Sequence, residues 1–285
     1  MVEYILGNYL VKSGKISKEQ LDVVLKKQDT AKVRLGIIAV SEGMMTLEEA
    51  DKVNRLQSVK DMRFGDIAVE QGYLTDEQVG TLLKKQGNTY LMFVQTLIDE
   101  KLVTMEDMEA LLEEFRKENS YGNAEMEDLK SDDVSRIVSL LLPEEAKEYQ
   151  ELVGTMVRTV IRLIDRSVYI DKAEVVAEFP TEGQVSQELV GDICLVDCLA
   201  EKNGALLRVG SVYGREIFDE LNADALDAAG EFLNCVNGLY ASGLSREGQL
   251  VELLPPEYAV ASSRKKPIYR VPIFIGEKGL YFLVG

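Results

Sequence analysis

The first ~120 positions of this chain repeat with a 29-residue period, and a period of that length restricts what this part can fold into. Leu6, Leu35, Phe64 and Phe93 keep the spacing, as do Ser17, Thr46, Thr75 and Thr104, and Glu19, Glu48, Glu77 and Glu106. Gly7, Gly36 and Gly65 recur in three copies, as do Gly14, Gly43 and Gly72, and Gln28, Gln57 and Gln86. The fourth copy has Val94, Lys101 and Phe115 in their places. A unit this small cannot bury its apolar face alone, so neighbours must stack. Each unit reads as two short helices. The first carries apolar positions such as Leu6, Tyr9 and Leu10 and runs to Gly14, a good C-cap residue. The second starts behind a Ser or Thr N-cap, with Glu two residues on in the first turn, where the helix dipole favours negative charge.

With 285 residues the chain has length for two domains, each able to bury a core. It contains no histidine, which removes Ser-His-Asp and Cys-His catalysis, phosphohistidine transfer and most transition-metal sites. Chemistry must then run on carboxylates, amides, hydroxyls or a metal brought by a partner. The net charge of −17 argues against a nucleic-acid groove or an anionic membrane surface. Residues 1–118 hold 16 lysines and arginines against 21 acids, so most of the excess acidity lies beyond them. No apolar run is long enough to span a bilayer, and Met1-Val2-Glu3-Tyr4 opens no export signal, so a cytoplasmic protein is expected. Cys194, Cys198 and Cys235 read as reduced thiols, the first two facing one core layer.

Residues 116–133 are polar without a repeating apolar face, which is linker composition. The expected division is a helical-repeat domain over 1–118, a linker over 119–133 and a second domain over 134–285. In the second domain a short helix ends at Pro143. A longer one then runs to about Asp165, with Val153, Met156, Val157, Val160 and Ile161 on its apolar face. Six strands are expected: around Val175–Phe179, Ile193–Leu199, Ala205–Ser211 after a Lys202-Asn203-Gly204 hairpin turn, Val251–Leu254, Ile268–Ile275 and Leu280–Val284. Six strands and two long helices make an α+β domain with helices on an antiparallel sheet. Arg264-Lys265-Lys266 reads as an exposed loop.

The informative element is a helix expected over about Ala223–Ser242. Ala225, Ala229, Phe232, Val236 and Leu239 form its buried stripe, and Asp227, Glu231, Asn234 and Gly238 the opposite one. An acid and an amide one turn apart thus point the same way. Gly238, costly in a helix by about 0.5–1 kcal/mol, would let another backbone approach.

At these residues the chain resembles the CheC/CheX/FliY phosphatases. Their pattern is Asp or Ser, three residues, Glu, two residues, Asn, then Pro a little over twenty residues on. Asp227, Glu231, Asn234 and Pro256 fit it here, with Pro255 a neighbouring candidate. The first long helix has Glu151-Leu-Val-Gly154 where a duplicated site would need Asn, which makes the resemblance CheX-like and single-sited. It implies a CheX-like domain that dephosphorylates a CheY-like response regulator carrying an aspartyl phosphate. Asn234 would orient the attacking water, Glu231 would pair with the regulator's lysine, and Asp227, Gly238 and Pro256 would support docking. It implies no cofactor of the chain's own, with Mg²⁺ supplied by the regulator, and no metal site.

The repeats resemble the MshE-type N-terminal domain of type II secretion and type IV pilus ATPases. Arg34-Leu35-Gly36 opens a 24-residue span closed by Gln57, Arg63-Phe64-Gly65 opens another closed by Gln86, and residues 58–62 are the spacer. Ala39, Ala50 and Asn54 depart from the aliphatic pattern, and Ile5 stands where the first copy would need Arg. The resemblance implies cyclic di-GMP binding at Arg34, Gly36, Gln57, Arg63, Gly65 and Gln86. The other reading is that the glycines and glutamines only shape a helical stack. The competing function is a non-catalytic cyclic di-GMP effector or motility adaptor that uses its phosphatase-like domain for docking. A homodimer is an option the sequence leaves open.

Overall fold

The computed structural model describes residues 1–57, 59–60, 62–180, 182–258 and 267–285. Arg264-Lys265-Lys266 lies outside the described residues. The chain divides into two compact units, Val2–Asp132 and Asp133–Gly285, Met1 grouping with the second.

The first unit holds helices in pairs: α1 (Val2–Lys12) and α2 (Lys18–Lys27), α3 (Leu35–Ser41) and α4 (Leu47–Gln57), α5 (Phe64–Glu70) and α6 (Asp76–Leu83), α7 (Thr89–Asp99) and α8 (Met105–Asn119). Every second helix begins with a capping box. Ser17, Thr46, Thr75 and Thr104 accept from the backbone N–H three residues on, and Gln20, Glu49, Gln78 and Asp107 accept from the cap residue's own N–H. Such a cap is worth about 1 kcal/mol. The side chain that closes each box is therefore three residues past the cap, one beyond the recurring glutamate.

The two sets of periodic glycines have different causes. Gly14, Gly43 and Gly72 stand in the left-handed region, with φ of +71°, +64° and +75°, and Lys101 takes the same conformation at φ 57°. Gly7, Gly36 and Gly65 are close-packing positions. A Cβ there would stand 2.5 Å from Leu21, 3.0 Å from the Phe64 ring and 2.9 Å from Val79. The segment read as a linker is mostly helical, since α8 runs to Asn119 and α9 spans Asn123–Lys130. Met126 and Leu129 are buried, too few apolar positions to stand out as a periodic face.

The second unit opens with α10 (Val134–Leu141) and α11 (Gln150–Leu163). Strands β1 (Val168–Ile170), β2 (Glu174–Val176), β3 (Gln184–Gly191) and β4 (Leu195–Glu201) follow. Next come α12 (Ala205–Gly214), α13 (Ala223–Arg246), β5 (Val251–Leu253), β6 (Ile268–Ile275) and β7 (Lys278–Val284). The pairings are antiparallel in the order β1-β6-β7-β4-β3-β5, with β2 beside β1 along the same edge of β6. The unit is of the mixed helix and antiparallel-sheet class, with seven strands among the described residues rather than the six expected. Val196, Cys198 and Ala200 of β4 pack with Phe179, Ile268 and Leu283 on one face of the sheet. Asp197, between them, turns to the other face and meets α13. Cys194 is exposed and Cys198 buried, so they do not share a core layer.

Residues 205–211, expected as a strand, begin α12. Gly204 is left-handed at φ 92°, and the Glu201 carboxylate accepts from the N–H groups of Gly204 and Leu207 at the helix start. That carboxylate satisfies free donors and complements the helix dipole, so the turn begins a helix instead of a hairpin. The α12–α13 crossing is tight, because a Cβ on Gly210 would lie 2.5 Å from the Ala225 carbonyl oxygen.

Candidate functional site

Helix α13 starts at Asn222, whose side chain accepts from Ala225 N at 2.9 Å, and Asp224 in its first turn suits the dipole. Ala225, Ala229, Phe232, Leu233 and Val236 are fully buried, which fixes the opposite face outward. Leu239, expected in the buried stripe, is 39% exposed; Tyr240 and Leu244 complete the buried face instead. Asp227 and Glu231 are exposed, and Asn234 and Gly238 are half-buried. The acid and the amide therefore do share one accessible face.

Asn234 is held from behind. Its Oδ1 accepts from Gln187 Nε2 at 2.8 Å, and the same nitrogen donates to the Leu254 carbonyl at 2.8 Å. Gln187 Oε1 accepts from Asn237 Nδ2 at 2.8 Å, which also donates to Asp197 Oδ1 at 3.0 Å. Gln187, Asn237 and Asp197 are buried. Burial pushes the Asp197 carboxyl up to about 8, against the lowering effect of the Asn237 and backbone hydrogen bonds.

Beyond β5 the chain stays beside β3. Leu254 N donates to the Glu188 carbonyl at 2.9 Å, and Ser186 and Glu257 exchange backbone bonds of 2.9 and 2.8 Å. Pro255 and Pro256 lack an N–H for this ladder and sit on its outer edge. Pro256 packs on α13 at Gly230, where a Cβ would be 3.3 Å from Pro256 and 3.2 Å from Val185. The glycine that permits close approach is Gly230. At Gly238 a Cβ would meet nothing within 4 Å. Asp227 accepts a 2.5 Å bond from Tyr258, so it braces the Pro256 segment. Among the described residues no three Cys, Asp or Glu side chains gather as metal ligands, and no helix is long and apolar enough to cross a membrane.

In the first unit, Arg34 and Arg63 each stand immediately before a seven-residue helix. Arg34 pairs with Asp99 at 2.6 Å and, with Gly36, lines a cleft of about 430 Å³ that also holds Asp51, Asn54 and Lys101. Arg63, Gly65, Gln57 and Gln86 do not line it. Gln57 donates to Met62 O at 3.4 Å and Gln86 to Val33 O at 3.1 Å. Gly36 and Gly65 are buried in helix packing, as the stacking reading requires.

Gln187, Asn237 and Asp197 were not singled out from the sequence. A lone acid within Leu195-Val196-Asp197-Cys198-Leu199 was the available signal, since a charge in a buried run needs a partner.

No protein-family model matches the chain, and no curated protein is similar to it. Solved structures similar to part of it include the chemotaxis protein CheX from Desulfovibrio desulfuricans, with a TM-score of 0.41 and 12% identity over 49% of this chain and 98% of that one. The CheX–CheY–BeF3–Mg²⁺ complex from Borrelia burgdorferi gives 0.40 and 13% over 47% of this chain and 92% of that one. Thermotoga maritima FliY gives 0.38 and 16% over 50% and 89%.

Proposed function

We propose that the second unit dephosphorylates a CheY-like response regulator, with Asn234 orienting the attacking water and Glu231 fixing the dock. The observation that carries the reading is the pair itself: Glu231 exposed on α13, and one turn on an amide held from behind by Gln187 at 2.8 Å. Such a pair suits a reaction that needs placement rather than a nucleophile of the chain's own. Water attacks phosphorus in line, the bond from phosphorus to the aspartyl oxygen breaks, the carboxylate leaves, and the water's proton passes to solvent. Mg²⁺ in this reading is the regulator's own. Correct placement of the water can supply several kcal/mol, up to ~7–11 at the extreme. The open surface at Gly238 leaves room for a partner's backbone.

The test is to mix the full chain with a CheY-like receiver phosphorylated by acetyl phosphate and to follow phosphate release. Acceleration supports the reading. Complex formation without acceleration would make the unit a docking module, the adaptor alternative.

We also propose that the first unit binds cyclic di-GMP at the Arg34 cleft. A guanidinium beside a cleft of about 430 Å³ can stack on a guanine and bond a phosphate.

A further inference from the structure

The polar groups behind Asn234 form a row whose direction one atom decides. The Leu254 carbonyl can only accept, so Gln187 must turn its Nε2 toward it, at 2.8 Å. The second hydrogen of that nitrogen goes to Asn234 Oδ1, also at 2.8 Å. Gln187 Oε1 therefore faces Asn237, which must present Nδ2 at 2.8 Å and gives its other hydrogen to Asp197 Oδ1 at 3.0 Å. Three amides are thus aligned head to tail. The Nδ2 hydrogens of Asn234 are the ones left over, and this is the half-buried end of the row. A head-to-tail row polarises its members, so the last N–H is a better donor than an isolated amide.

The buried end has an unresolved pair. Asp197 Oδ2 and Asn237 Oδ1 are both buried without a hydrogen-bond partner among the described residues. An orphaned acceptor in such a place bears its full desolvation penalty. One proton serves both: a neutral Asp197 becomes a donor, and Asn237 Oδ1 is the free acceptor on the side chain it already touches.

We propose that Gln187 is a positioning residue that holds Asn234 with its Nδ2 outward, and that Asp197, as a neutral acid bonded to Asn237, anchors the inner end of the row. The outward N–H donates to one lone pair of the water and leaves the other aimed at phosphorus. The catalytic consequence rests on the phosphatase reading; the order of the amides does not.

Two measurements on the full chain test it. In the ¹⁵N-labelled protein, the side-chain NH2 groups of Gln187 and Asn237 should exchange slowly with solvent and that of Asn234 quickly. Protection of Asn234 with fast exchange at Gln187 overturns the proposal, whether or not the protein is a phosphatase. In receiver dephosphorylation, Gln187→Leu should lower kcat about tenfold or more with KM within about twofold. A kcat within about twofold of wild type, or a loss carried by KM instead, overturns the positioning role. Should Gln187→Leu fail to fold, Asp197→Asn decides the inner end, because its amide can pair with Asn237 without a proton. Retained Tm and rate at neutral pH support a neutral Asp197; a fall in either overturns it. An inactive wild type with the expected exchange pattern would remove the phosphatase reading and keep the row.

Discussion

Tyr258 donates its phenolic hydrogen to Asp227 at 2.5 Å, and that bond ties the chain beyond β5 to the helix carrying Glu231 and Asn234. Burial and the Asp227 carboxylate push the phenol up to about 12. In Asp227→Ala the carboxylate's share is lost and burial remains, so Tyr258 should ionise at lower pH yet above the ordinary value of about 10. Phenolate absorbance, with Tyr258→Phe to assign the transition, checks this. An unchanged titration would mean that the bond does not form in solution.

Asn234→Ala should abolish accelerated receiver dephosphorylation while the circular dichroism and Tm stay near wild type, because the side chain lies at the accessible end of the row. Glu231→Ala should weaken regulator binding as well as rate. Wild-type kinetics from both variants would remove the catalytic assignment.

Asp197 sets a pH dependence of stability. Below the unfolded carboxyl value both states hold the proton, and pH has no effect through this group. Between that value and about 8 the unfolded chain is ionised while the folded one keeps its proton. Folding then takes up a proton, and each pH unit upward costs the fold about 1.4 kcal/mol, until the slope vanishes above the folded value. Urea midpoints at several pH values between about 5 and 7 should therefore fall in wild type relative to Asp197→Asn, where this contribution is absent. Parallel curves would show that Asp197 is ionised.

Lys101 occupies a left-handed turn, φ 57°, that the three preceding repeats fill with glycine. Relief of its Cβ crowding favours glycine by about 1 kcal/mol, partly offset by the freer unfolded chain. Lys101→Gly should raise the thermal midpoint of the first unit, and a drop would show that the lysine's contacts outweigh its backbone.

Arg34→Ala should weaken cyclic di-GMP binding by about 1–3 kcal/mol, the range for a charged hydrogen bond. Titration calorimetry on the full chain reads it. Absence of heat with the wild type at millimolar ligand would leave Arg34 as a surface partner of Asp99.

Helix α13 and its outward-facing acid and amide were legible because Ala225, Ala229, Phe232 and Val236 keep one face apolar at helical spacing. Strand β3 was not, for a physical reason: Gln184, Ser186 and Gln187 are buried polar residues satisfied by hydrogen bonds, and they erase the apolar alternation that marks a strand. The same strand carries Gln187, so losing the strand meant losing the residue behind Asn234. Ala205–Ser211 reads as a strand because a short apolar run fits either period until the Glu201 carboxylate before it is known. The periodic glycines were visible, but spacing alone does not separate a left-handed turn at Gly43 from a tight helix crossing at Gly36.

Each capping box of the first unit closes within four consecutive residues, so the start of every second helix is decided without reference to any other part of the chain. Removing or inserting one whole 29-residue unit would leave every remaining box intact. The length of the array is in that sense an adjustable dimension. The sheet has no such freedom, because β1 finds its partner only where Val168 meets Ile275, almost at the other end of its unit.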